Sequence, residues 1–100
     1  MTGFIVSPAA KGDLEDIWDY LAIELEDPDT ADHVIEGIFA SFQRISSAPG
    51  IGHFRSDLCS QSVRFWSVWS YLVVYRHEGD EVQIVRVVHA SRDVKALLAD

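Results

Sequence analysis

The chain is poor in the residues that build redox, metal and polyanion chemistry. It holds one cysteine, Cys59, so it can form no intramolecular disulfide and cannot build a thiolate zinc site by itself. Asp57 lies near Cys59 and no basic residue is close enough in sequence to activate it, so it does not read as a nucleophile. His33, His53, His77 and His89 show no HxH or HxxxH spacing, and none pairs with the cysteine, so no metal site is expected. No stretch approaches the ~18 consecutive apolar residues of a membrane-spanning helix. The opening MTGFIVSPAAKGD has no basic n-region and only a very short apolar run, which argues against a secretory signal. A phosphate-cradling loop is also missing: Pro49-Gly50-Ile51-Gly52 follows a helical pattern instead of preceding one, and reads as a helix stop. These absences favour a cytoplasmic protein with no cofactor and no membrane partner.

What is present suits a packed core. Apolar residues make up 48% of the 100-residue chain and aromatics 11%, which argues against disorder and fits one domain over residues 1–100. The net charge of −8 is unevenly distributed. Residues 1–50 carry ten acids against Lys11 and Arg44, whereas residues 51–100 carry six acids and six bases, five of them arginines. General binding of nucleic acid by long-range attraction is disfavoured, while a local cationic site on the second half stays open.

Gly3–Val6 reads as a first strand. Ser7-Pro8 supplies an N-cap and a first-turn proline, and Leu14, Ile17, Trp18, Leu21 and Leu25 then recur at helical spacing, predicting a helix from about Pro8 to about Leu25. Asp27-Pro28-Asp29 breaks it and caps a second helix carrying Ala31, Val34, Ile35, Ile38, Phe39, Phe42 and Ile45. Gly52–Gln61 reads as a polar loop. Three strands follow, at Ser62–Trp66 or Val68, Tyr71–His77 and Val82–His89, the last two joined by the turn Glu78-Gly79-Asp80-Glu81. The last strand is apolar on both faces, which predicts an interior position in the sheet. Ser91 is placed to cap a short terminal helix through Lys95, Leu97 and Leu98. The expected fold is α+β, in the order β-α-α-β-β-β with a short C-terminal helix, a helical hairpin packed on an antiparallel sheet.

Few residues offer chemistry. Asp13, Asp16 and Asp19 read as a solvated acidic helix face. Trp66 and Trp69 flank a turn, where an exposed indole is a candidate partner contact. Arg64, Arg86, His89 and Arg92 lie on neighbouring strands or just past one, with Tyr71 and Tyr75 on the strand between. Arginine, histidine and tyrosine together are what a metal-free ribonuclease needs: a base for the 2′-hydroxyl, cations for the phosphorane, and an acid for the leaving oxygen. The favoured reading is structural, with Arg86 paired to an acid across the sheet and Arg92 paired to Asp93.

The pieces SPAAKGDLEDIWDYL, RISSAPGIGHFRSDL, VRFW and YLVVYRHEGDEVQIVRVVHASRD, in this order, resemble the RelE/ParE superfamily of toxins of bacterial type II toxin–antitoxin modules. The closing His-x-x-Arg-Asp belongs to that pattern, and the likeness is greatest to the ParE branch, the plasmid-stabilisation proteins. The resemblance implies a cognate antitoxin that neutralises the toxin and often carries the DNA-binding domain, so that DNA is contacted only through it. It implies growth arrest by inhibition of DNA gyrase for ParE-type members, and mRNA cleavage at the ribosome for RelE-type members. The acidic charge and the single lysine ahead of the tail, Lys11, favour the ParE-type action, with no catalysis of its own. Trp66, Trp69, Tyr71, Arg86 and Arg92 are then candidates for target or antitoxin contact. In the alternative, a metal-independent mRNA endonuclease, Arg64, Arg86, His89, Arg92 and Tyr75 would be catalytic. Trp69 stands where many relatives carry a smaller or more polar turn residue.

Overall fold

Ser7 sets the first helix. Its backbone is extended, its hydroxyl accepts the Ala10 N–H at 3.0 Å, and Pro8 occupies the first turn of α1 (Pro8–Asp19). The same hydroxyl donates to the Val85 carbonyl at 2.8 Å, so the cap also ties the helix start to the sheet. The computed structural model describes residues 3–55, 57, 62–92 and 94–98. Cys59 and the expected Arg92–Asp93 pair lie outside the described residues.

The predicted first helix is continuous but changes pitch. From Tyr20 to Glu24 it widens into a π-turn, closed by Leu25 N–H to Tyr20 O at 3.0 Å. Glu26 at φ 53 and Asp27 N–H to Leu21 O then end it. The predicted apolar stripe is only partly buried. Leu14 is buried and Ile17 and Leu21 half-buried, but Trp18 and Leu25 stand exposed. The second helix, α2 (Pro28–Ser47), follows the sequence reading. Asp27 accepts the Thr30 N–H as its cap, and Ala31, Ile38, Phe42 and Ile45 are buried.

The sheet differs from the expected antiparallel meander in two ways. Its order is β1-β5-β4-β3-β2, with β1 (Gly3–Val6) at one edge, running parallel to β5 (Glu81–His89). A two-residue strand β2 (His53–Phe54) inside the predicted polar loop pairs with β3 (Arg64–Val68) at the other edge. Sequence patterning predicts strands but not which edge a distant strand joins, so the parallel pairing had no local signal. β4 (Tyr71–Glu78) is central and antiparallel to both β3 and β5. The interior position predicted for the last strand is observed.

A bulge explains why β5 is apolar on both faces. Val74 faces Arg86 and Tyr75 faces Ile84, leaving Val85 as the extra residue. The insertion shifts the side-chain phase. Val82, Ile84 and Val87 therefore pack under α1 and α2 with Phe42, Ile45, Val73 and Tyr75. Val85 and Val88 join Leu72, Val74 and Phe65 on the opposite face, beneath α3 (Val94–Leu98). Ser91 does not serve as a cap for α3. Its hydroxyl is engaged with His89 Nδ1 at 2.6 Å.

Candidate functional site

Asp13, Asp16, Ile17 and Tyr20 fall at i, i+3, i+4 and i+7 and so share one face of α1. That face looks across to the end of β5. Between them lies a cleft of about 520 Å³, bounded on the sheet side by Tyr71, Arg86, His89 and Arg92. Its size lies in the range of ligand pockets.

Arg86 sits at the bulge, and its guanidinium is held by a two-point fork to Asp13, Nε to Oδ2 at 2.7 Å and Nη2 to Oδ1 at 2.9 Å. The same Oδ2 accepts the Val87 N–H at 2.9 Å. The carboxylate thus satisfies both the cation and a backbone donor that the bulge frees from the ladder. The hydrogen bonds that Arg86 donates to Asp13 raise its pKa above the usual range. Asp13 was expected on a solvated face. It is instead mostly covered, and it is the acid to which Arg86 pairs, on the helix above the sheet and not on a neighbouring strand.

His89 stands opposite Tyr71 in the β4–β5 register, with the rings edge-on at 5.2 Å. Its Nδ1 accepts the Ser91 backbone N–H at 3.1 Å. An amide N–H can only donate, so Nδ1 carries no proton and the hydrogen of the neutral ring is on Nε2. Burial pushes the Tyr71 phenol above its ordinary pKa, with Tyr20 nearby adding to the rise. Arg92 is exposed and forms no ion pair among the described residues.

The other candidates lie elsewhere. Tyr75 is fully buried, donates its hydroxyl to the Pro49 carbonyl at 2.6 Å and accepts the Gly52 N–H at 2.8 Å. Gly52 is needed for that approach, since a Cβ would collide with the phenol. Burial holds the Tyr75 pKa above its ordinary value. Arg64 donates to the Gly52 carbonyl at 3.2 Å and lies over the Phe54 ring at 4.1 Å. Trp66 is half-buried beneath Arg44, whose guanidinium is 5.7 Å from the ring centre. Trp69 is at the β3–β4 tip, 58% exposed, with its ring laid against Gly37 and His33 of α2. The structure therefore gathers Tyr71, Arg86, His89 and Arg92 around one cleft and keeps Arg64, Tyr75, Trp66 and Trp69 out of it. Sequence reading missed Tyr20 and the role of Asp13, although their i, i+7 spacing with Ile17 between was a usable signal.

Chemically, the cleft offers an N–H from His89, the guanidinium of Arg92 and a phenol at Tyr71 above the apolar Ile17, Leu21 and Val88. Among the described residues no cluster of three or more His, Cys, Asp or Glu is arranged to hold a metal ion. No helix there is long and apolar enough to cross a membrane.

Comparison with known proteins agrees with this architecture. Residues 4–94 match the family model described as ParE toxin of type II toxin–antitoxin system, parDE. The chain is 34% identical over 98 residues to Toxin ParE1 of Caulobacter vibrioides, covering 98% of this chain and 99% of that one. It is 30% identical over 92 residues to Toxin ParE1 of Mycobacterium tuberculosis, covering 91% and 92%. Among solved structures, a chain of the chromosomal ParDE system from P. aeruginosa superposes with a TM-score of 0.75 at 23% identity, over 89% of this chain and 96% of that chain.

Proposed function

Because the chain belongs to the ParE toxin family of type II toxin–antitoxin systems, we propose that it acts by binding and inhibiting a protein target, DNA gyrase, and is neutralised by a small cognate antitoxin. The toxin works in the cytoplasm and reaches DNA only through that antitoxin. One observation carries the choice of binding over catalysis: Arg86 and Tyr75, two of the groups that RNA cleavage would use, are already committed. Arg86 is forked onto Asp13, and the Tyr75 hydroxyl is spent on Pro49 and Gly52. His89 has its proton on Nε2 and its other nitrogen occupied by Ser91. Purified toxin at micromolar concentration is expected to inhibit gyrase supercoiling, and antitoxin to relieve it. Unaffected supercoiling would sink the reading.

The competing reading is a metal-independent mRNA endonuclease. It is favoured by the grouping of Tyr71, Arg86, His89 and Arg92 around one cleft. His89→Ala and Arg92→Ala separate the two, because neither side chain supports the core. Cleavage would fall steeply in both variants, whereas target binding without catalysis leaves transcript levels unchanged by the toxin in wild type and variants alike.

A further inference from the structure

Four of the large apolar side chains that stand exposed, Trp18, Tyr20, Ile23 and Leu25, fall within one stretch, at 36%, 54%, 64% and 54%. They surround the π-turn, a distortion that recurs at functional sites. Tyr20 and Ile23 lie within the turn itself, and Leu25 closes it. Beside them a second, shallower hollow of about 290 Å³ is lined by Asp16, Asp19, Tyr20, Ile23 and Glu24. The three carboxylates are exposed and make no ion pair among the described residues. No lysine or arginine occurs between Lys11 and Arg44, while ten acids do.

We infer that this face of the π-turn docks a basic amphipathic segment of a partner protein, apolar side chains on Tyr20 and Ile23, lysine or arginine against Asp16, Asp19 and Glu24. Charge selects the occupant. A second copy would bring the same acids to the same face, and an anionic membrane or nucleic acid would be repelled. A cationic helix with one apolar stripe meets both features of the surface. The inference rests on the protein-binding reading only for who the partner is, and not for its chemistry.

The test uses the full chain and a fluorescently labelled synthetic Leu/Lys amphipathic helix, with the Leu/Glu counterpart as comparison, read by anisotropy. The Leu/Lys peptide is expected to bind and the Leu/Glu peptide not to. Ile23→Ser should weaken binding about tenfold, and Asp19→Lys with Glu24→Lys at least as much. All three positions are exposed, so none of the changes removes a buried side chain. Asp80→Lys with Glu81→Lys makes the same charge change at the opposite end of the sheet and should leave binding within about twofold. Equal weakening by both charge reversals would mean attraction to net charge alone and would overturn the inference. So would indifference to the Ile23 change, or self-association in sedimentation that Ile23→Ser abolishes. Peptide binding without gyrase inhibition would leave this surface standing and remove the target. Inhibition without peptide binding would do the reverse.

Discussion

Two hairpin turns of the same length close β4 against its neighbours, and they are built on different plans. Between β4 and β5 the two-residue loop Gly79-Asp80 has its positive φ, 61°, at a glycine. A Cβ there would meet nothing within 4 Å, so the glycine is present for backbone freedom alone. Between β3 and β4 the loop Trp69-Ser70 has its positive φ, 52°, at a tryptophan. That conformation is unfavourable for a bulky residue. What offsets it is on α2, where Gly37 leaves room for the indole and His33 packs against it at 5.3 Å. One tip is only a turn. The other is a turn that also fastens the sheet to the helix layer.

Substitutions can break that contrast. The largest effect is expected at the plain turn: Gly79→Val places a β-branched residue at positive φ and should cost about 2 kcal/mol in urea unfolding. Trp69→Ala keeps the strained backbone and loses the contact with Gly37, and is expected to cost about 1.5 kcal/mol. Trp69→Gly loses the same contact but relieves the backbone, so it should be more stable than Trp69→Ala by about 1 kcal/mol. Equal stability of the two would mean that the left-handed tip carries no strain. The smallest effect is the most specific. Gly37→Ala should gain up to about 1 kcal/mol in helix propensity when Trp69 is glycine, and less or nothing when the indole is present. Additive behaviour in that cycle would show that Gly37 is not the seat of Trp69.

The same contrast shows what the sequence made legible. Gly79 announced its turn because glycine is the residue such a turn asks for, and both helices followed from caps and spacing. Trp69 gave no such signal, since its conformation depends on a glycine one layer away. The π-turn was hidden because Leu14, Ile17, Leu21 and Leu25 keep helical spacing whether or not the last turn widens. The bulge at Val85 was visible only as apolar residues on both faces of one strand. Strand proximity grouped Tyr71, Arg86, His89 and Arg92 with Arg64 and Tyr75, and only the first four line the cleft. The partner of Arg86 was not legible, because Asp13 lies 73 residues away on another layer. Tyr75 looked available for chemistry because a tyrosine on a strand beside arginines can serve as acid or base. Its burial comes from the segment Pro49–Gly52 folding over it.

The parallel edge has a consequence in time. The strand made first on the ribosome, β1, finds its partner in β5, and the Ser7 hydroxyl bond to Val85 spans 78 residues. Contacts that far apart form late, since the loop must close before the pairing stabilises it. Until residue 85 has emerged, β1 has an unpaired edge and the first helix has no sheet end to dock on. The fold, and with it the Asp13–Arg86 cleft, is therefore assembled in one late step. A nascent chain stopped before that point carries both helices but none of the cleft's sheet side beyond Tyr71.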